Sequence, residues 1–277
     1  CRPCKIRIKE DEKMSLGISS ASLYPLETEK AFEMIAKSGA DCTEIFFNCK
    51  YELTKDFVEI LRGIKNEYGI KVSSIHPTMS LAESFMLFSA YDRRTKEGFD
   101  EFRRYAEIAA DLKAKYIILH GGKPNKVLDD DGYIERFYKL SNAVKEHGAV
   151  LLQENVVNFR AGSTAFLKKF TESLKSDANI CFDIKQAVRG GYDPIDTVKR
   201  FGRYIRHYHI SDNSPESDCM LPLKGNFDFK GFYKAVEESG YKGDFMIEVY
   251  RDAYKEYGEL FGSYFKLKKC RFANDAL

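Results

Sequence analysis

The chain has 277 residues, 44% of them hydrophobic and 31% charged, and a formal net charge of +2. That is enough apolar material for one large core or two modest ones, and near-neutrality offers no global field for nucleic acid or an anionic membrane. Seven cysteines without a repeating spacing and no long apolar run argue against a disulfide framework, a membrane span and a secretory leader, so a reducing cytoplasm is the expected setting.

Residues 1–13 precede the first strand-like run and read as a charged, frayed extension, with a lone Cys-x-x-Cys at Cys1 and Cys4 that is a weak zinc signal. From Met14 the pattern alternates strand and helix. Leu16 to Ser19 is a first strand, and 27–38 a helix carrying Ala31, Phe32, Met34 and Ile35 and stopped by Gly39. Cys42-Thr43-Glu44-Ile45-Phe46-Phe47 is a second strand, followed by a helical stripe of Phe57, Ile60, Leu61 and Ile64 and a third strand ending at His76. The interval 77–91 is too apolar for a solvated loop and reads as a lid or wall over a pocket. A long helix over 95–112 precedes a fourth strand that runs to His120, where Gly121 and Gly122 allow close backbone approach.

The second half keeps the rhythm. A helix over 133–147 leads to the fifth strand, ending Gln153-Glu154-Asn155; the stripe Phe166, Leu167, Phe170 and Leu174 leads to the sixth, Asn179-Ile180-Cys181-Phe182-Asp183. A helix over 194–201, a seventh strand through His207 and His209, a helix over 229–239, an eighth strand ending at Glu248 and a last helix over 253–269 complete the chain. Eight strand-helix units in one chain of this size predict a single (β/α)8 TIM barrel over 14–277, with a doubly wound open sheet as the runner-up. No Gly-x-Gly-x-x-Gly follows the first strand and no Walker-type Gly-Lys-Ser/Thr occurs, so neither a dinucleotide nor a nucleotide fold is indicated. Tyr250, Tyr254 and Tyr257 near the last helix are expected on the outside, packing the barrel or forming a homo-oligomer interface.

In such barrels the chemistry sits at the C-terminal strand ends. Those ends here supply His76, His120, Glu154, Asp183, His209 and Glu248. Any one of these side chains taken alone is more simply a buried group paired within the protein. Together, three converging carboxylates would repel and raise one another's pKa unless a cation neutralised them, so a divalent metal site is expected. Three carboxylates and one imidazole suit Mn²⁺, Mg²⁺ or Co²⁺ at least as well as Zn²⁺.

Glu154-Asn155 at strand five, Asp183 at strand six, His207-Tyr208-His209-Ile210-Ser211-Asp212 at strand seven and Ile247-Glu248 at strand eight together resemble the xylose isomerase-like barrels. This is the sugar phosphate isomerase/epimerase group, which also includes endonuclease IV. The loop Leu223-Lys224-Gly225-Asn226-Phe227-Asp228-Phe229 and the lead Gly240-Tyr241-Lys242-Gly243 are similar to the family's, the former imperfectly. The resemblance implies metal ligands Glu154, Asp183, His209 and Glu248, with Glu154 and Glu248 doubling as the acid/base pair. It implies proton removal next to a carbonyl of a small sugar, sugar phosphate or polyol ketone through a metal-stabilised enediolate. His76, His120, Asn155 and His207 are expected on the substrate side. The departure is at strand six, where many members carry Asp-x-x-His and this chain has Asp183-Ile184-Lys185-Gln186. Gln186 can hydrogen-bond a hydroxyl or carbonyl, and Lys185 would either bind a substrate anion or pair with Asp183 or Glu154. Two other readings rank below: an endonuclease IV-like abasic-site nuclease, which would require the missing strand-six His, and a non-catalytic sugar-binding barrel in which Lys185 replaces the metal.

Overall fold

The computed structural model describes residues 14–77, 80–125 and 127–272; the extension and the Cys1/Cys4 pair expected at the N-terminus lie outside the described residues. Eight parallel strands close into a barrel: β1 (Leu16–Ser19), β2 (Cys42–Phe46), β3 (Lys71–His76), β4 (Tyr116–Leu119), β5 (Val150–Glu154), β6 (Ile180–Asp183), β7 (Ile205–Ile210) and, after a small hairpin, β10 (Phe245–Ile247). Their order around the ring is β1-β10-β7-β6-β5-β4-β3-β2, and β1 pairs with both β2 and β10, which rules out the open-sheet alternative. The hairpin, β8 (Asp212–Ser214) against β9 (Ser217–Met220), is antiparallel and has no counterpart in the sequence reading.

The strands are buried on both faces, as expected when helices cover a closed sheet. The covering helices are α1 (Thr28–Ser38), α2 (Lys55–Tyr68), α4 (Asp92–Leu112), α5 (Asp130–Lys145), α6 (Thr164–Leu174), α8 (Pro194–Phe201), α9 (Phe229–Glu238) and α10 (Tyr257–Phe272), with short α3 (Ser80–Met86) and α7 (Ile184–Arg189) at the strand ends. Their starts carry side-chain caps: Thr54 accepts from Phe57 N–H, Asp129 from Gly132 N–H and Asp228 from Gly231 N–H. On α2 the buried face is Phe57, Val58 and Leu61; Ile60, expected in that stripe, is exposed because Val58 holds the inward position. The last helix starts at Tyr257, after a turn of 3-10 helix at Arg251–Ala253, rather than at 253.

Two expectations about the surface change. Tyr254 is buried and donates from its hydroxyl to the Ser22 carbonyl at 2.5 Å, so it joins the core instead of the outside. The segment after β3 forms α3, held against the β4 end by Gly121 N–H donating to Glu83 (2.6 Å) and Lys123 N–H donating to Ser84 (3.0 Å). It walls a hollow of about 560 Å³ with Phe85, Tyr91 and Val127, outside the barrel mouth, and among the described residues α3 does not line the cavity over the strand ends. Among the described residues no helix is long and apolar enough to cross a membrane.

Candidate active site at the strand ends

A cavity of about 420 Å³ opens over the C-terminal ends of the barrel strands. His76, His120, Glu154, Lys185, Gln186 and Glu248 line its floor and sides, and Tyr24, Phe46, Phe159 and Tyr250 add aromatic rings. The volume lies in the range of small-molecule sites, and aromatic walls with a few converging polar groups are the composition such sites show. The hollow beside α3 is larger, but it holds no carboxylate or histidine, so the chemistry belongs to the smaller cavity.

Beneath the floor, one oxygen or nitrogen each from Glu154, Asp183, His209 and Glu248 lies within 4.8 Å of the other three. His209 is the hub. Its Nδ1 is 3.2 Å from Glu154 Oε1, 3.2 Å from Glu248 Oε2 and 3.8 Å from Asp183 Oδ2. On the other side of the ring Nε2 lies 3.1 Å from Oε2 of Glu44. Glu44, midway along β2, is the functional group that sequence reasoning missed. It is fully buried, and it accepts from Ser19 Oγ at 3.0 Å and Ser74 Oγ at 2.7 Å. Its signal was a carboxylate inside a short strand between Thr43 and Ile45, a place where an unpaired charge is too costly to be incidental.

These contacts set the imidazole's chemistry. Carboxylates face both ring nitrogens, Glu44 at Nε2 and Glu154 and Glu248 at Nδ1, so an N–H on either side finds an acceptor and the metal-free site favours the charged ring. Burial opposes the imidazolium, but nearby groups, Glu248 and Glu44 among them, outweigh burial and hold its pKa well above the ordinary value. For Glu154 and Glu44 too, burial would raise the pKa, yet the surrounding histidines hold both carboxylates well below their usual range.

His76 and His120 form the rim beside Glu154. Their Nε2 atoms are 3.0 Å apart, and His120 Nε2 lies 2.9 Å from Glu154 Oε2. That contact is poorly directed, and Glu154 Oε2 accepts no hydrogen bond although it is buried. Burial lowers the pKa of His120, whereas for His76 the nearby Glu154 and Glu44 overcome burial and lift it to about 9.

Strand six ends differently from the extended arrangement that would have carried Lys185 along the strand. The strand stops at Asp183, whose carboxylate caps α7 by accepting from Gln186 N–H at 3.2 Å. Lys185, on the first turn of α7, folds back so that its ammonium donates to Asp183 Oδ2 and Glu248 Oε2. Burial would lower its pKa, but those carboxylates hold it well above the usual value. Asp183 itself sits at about 7, raised by burial and pulled back by Lys185, while Lys185 and His209 outweigh burial at Glu248 and keep it low. Gln186 commits its carbonyl oxygen to Val157 N–H at 3.1 Å, which leaves its NH₂ group to a ligand.

Two residues expected to touch substrate do not reach the cavity. Asn155 spends its amide on the neighbouring strand: Nδ2 donates to the Asp183 carbonyl (3.0 Å) and Oδ1 accepts from Asp183 N–H (2.7 Å). It positions Asp183. His207 lies fully buried below His209, with Nε2 3.2 Å from Ser74 Oγ, because two residues of strand separate it from the barrel mouth. Asp212, the last residue of the strand-seven motif, is also structural. Its carboxylate accepts from the N–H groups of Lys224, Gly225 and Phe227 at 2.9 to 3.1 Å and so ties down the loop before α9.

The family profile of xylose isomerase-like TIM barrels matches residues 32–263. The chain belongs to that family. An inosose dehydratase of Clostridium botulinum (strain Alaska E43 / Type E3) is 23% identical over 284 residues, covering 90% of this chain and 89% of that protein. Among solved structures, the 3-keto-D-glucoside 4-epimerase YcjR of E. coli, in its apo form, superposes with a TM-score of 0.75 at 17% identity, over 93% of this chain and all of that one (100%). The IolI protein with a bound zinc atom gives 0.75 at 18% identity, over 92% and 97%. At these identities the structural likeness establishes the barrel, and the site must speak for its own chemistry.

Proposed function

We propose that this barrel is a divalent-metal-dependent isomerase or epimerase of a small sugar, sugar phosphate or polyol ketone. The observation that carries the reading is the convergence of Glu154, Asp183, His209 and Glu248, one donor atom from each within 4.8 Å of the others, directly under a sugar-sized cavity. Glu154, Asp183, His209 and Glu248 would hold the metal; the donor set of three carboxylates and one imidazole and the unpartnered Glu154 Oε2 both fit one. Mn²⁺, Mg²⁺ or Co²⁺ suit these donors, and the zinc in IolI adds Zn²⁺ to the candidates. When bound, such a cation polarises carbonyl and hydroxyl oxygens and offsets charge that builds on them.

The chain's own groups supply the rest. Glu154 and Glu248 belong to strands separated by β6 and β7, so they approach a ligand in the cavity from different sides. One carboxylate takes the proton from carbon next to the carbonyl, and the other returns a proton to the opposite face or to the neighbouring carbon. His76 and His120 supply hydrogen bonds to hydroxyls on the Glu154 side, and the Gln186 NH₂ group supplies a neutral donor where other family members have an imidazole. The aromatic rings of Phe46, Phe159 and Tyr250 exclude water from the reacting carbons. The nuclease reading gains no observation, because the cavity is sized for a small molecule and the His it needs is Gln186. The Lys185 pairs with Asp183 and Glu248 are what a barrel with Lys185 in place of the metal would also show, and metal binding separates that reading from the first.

The test is proton exchange. Ketoses, their phosphates and inositol-derived ketones incubated in D₂O with protein and Mn²⁺ are expected to gain deuterium next to the carbonyl, and Glu248→Gln is expected to abolish it. Undiminished exchange in Glu248→Gln would reject the acid/base assignment.

A further inference from the structure

The Lys185 ammonium donates to Asp183 Oδ2 and Glu248 Oε2, the same two oxygens that face His209 Nδ1. Two of the four groups that would hold a metal are thus already paired with a positive charge carried by the chain, beside the His209 ring. Nothing in local structure favours that placement. Lys185 is in the first turn of α7, where the helix dipole disfavours a cation, and its side chain is 3% exposed, which costs a long flexible group both hydration and rotamer freedom. Only the carboxylates can hold it there. An exit also exists: Lys185 lines the cavity, and its Nζ lies 5.7 Å from the ring centre of Tyr250, itself part of the cavity wall and 43% exposed. The ring, which also meets the Arg189 guanidinium at 4.9 Å, offers an aromatic surface beside the cavity toward which the ammonium can move.

We propose that Lys185 is a tethered counter-cation: it holds the carboxylate pocket in the metal-free protein and is displaced into the cavity when a divalent metal binds. Metal uptake is then an exchange of one cation for another. The proposal rests on the metal-dependent reading above and adds two consequences to it. The metal-free protein is folded and its site is neutralised in advance. The affinity for metal is lower than the four donors alone would give, because each binding event must break two charged hydrogen bonds.

The experiment compares the wild type with Lys185→Met, which keeps the length of the stem and removes the charge, by calorimetric Mn²⁺ titration and by melting with and without Mn²⁺. Lys185→Met is expected to bind Mn²⁺ roughly ten-fold or more tightly than wild type, a change on the scale that groups around metal ligands produce. It is also expected to melt lower than wild type when metal-free and to recover most of that loss when Mn²⁺ is added. Equal affinity in the two proteins overturns the exchange and leaves metal dependence standing. If neither protein binds Mn²⁺, Co²⁺ or Zn²⁺, the metal-dependent reading falls. Should Lys185→Met fail to fold without metal, the wild type alone decides through amine labelling read by mass spectrometry. Lys185 is expected to resist labelling in the metal-free protein and to react once Mn²⁺ saturates it; equal labelling in both states overturns the proposal.

Discussion

The two halves of the barrel meet at the same cavity with different chemistry. The strands β5, β6, β7 and β10 contribute Glu154, Asp183, His209 and Glu248, whose donor atoms converge within 4.8 Å. The strands β1 to β4 contribute Ser19, Glu44, Ser74 and His76, with His120 just beyond, and these groups mostly hold one another or the His209 ring. On the proposed function, one half would hold a cation and move protons, and the other would fix orientation and protonation. The difference teaches that a charge inside this barrel has a role set by the side from which it enters. Glu44 and Glu154 are both buried carboxylates beside His209, yet only Glu154 reaches the cavity.

Substitutions can break this contrast. The largest effect is expected from Glu154→Gln or Glu248→Gln, each of which removes a proton-transfer group and a metal donor; turnover and solvent exchange should fall by about 10²–10⁴-fold or beyond detection. Glu44→Gln keeps the shape but removes the negative charge that faces His209 Nε2. Metal affinity measured by titration should drop by about 10–100-fold, with the fold intact by circular dichroism. If Glu44→Gln instead behaved like Glu154→Gln in exchange assays at saturating metal, the division between the halves would fail.

Much of this arrangement can be read from the chain alone, and the reasons for the rest are physical. Parallel barrel strands are buried on both faces, so they appear as apolar runs, and a carboxylate or imidazole at the end of such a run stands out; that is how Glu154, Asp183, His209 and Glu248 are found. Glu44 lies inside its strand rather than at the end, so its signal, a carboxylate within an apolar run, names neither its partners nor the face it enters. Asn155 and His207 sit beside Glu154 and His209, but the register of the strands turns the first toward β6 and places the second one layer down. The stop of β6 at Asp183 is marked by a capping hydrogen bond from Gln186 N–H, a three-residue contact that periodicity does not reveal; it puts Lys185 on the first turn of a helix, from which the carboxylates draw its ammonium back. The hairpin of β8 and β9 is short and polar and leaves no alternation to detect.

Smaller effects sharpen the picture away from the donors. Asp212→Ala removes the acceptor of three loop N–H groups and should cost on the order of 3 kcal/mol in unfolding free energy by denaturant titration, with metal affinity retained. Glu83 on α3 is buried, and although Gly121 N–H donates to it, burial dominates and pushes its pKa well above the carboxylate range. The folded chain therefore holds a proton that the unfolded chain releases, so stability falls as pH rises from the unfolded value through the folded one. Glu83→Gln, which mimics the neutral acid, should flatten that part of the stability profile measured by melting across pH.

The central claim is that four donors from one half of the barrel form a metal site. Its most direct measurement is elemental analysis of wild type and His209→Ala after reconstitution with excess Mn²⁺, Co²⁺ or Zn²⁺ and removal of unbound ion. The account predicts about one equivalent of metal in the wild type and little in His209→Ala. Less than about a tenth of an equivalent in the wild type with each of the three metals would contradict it.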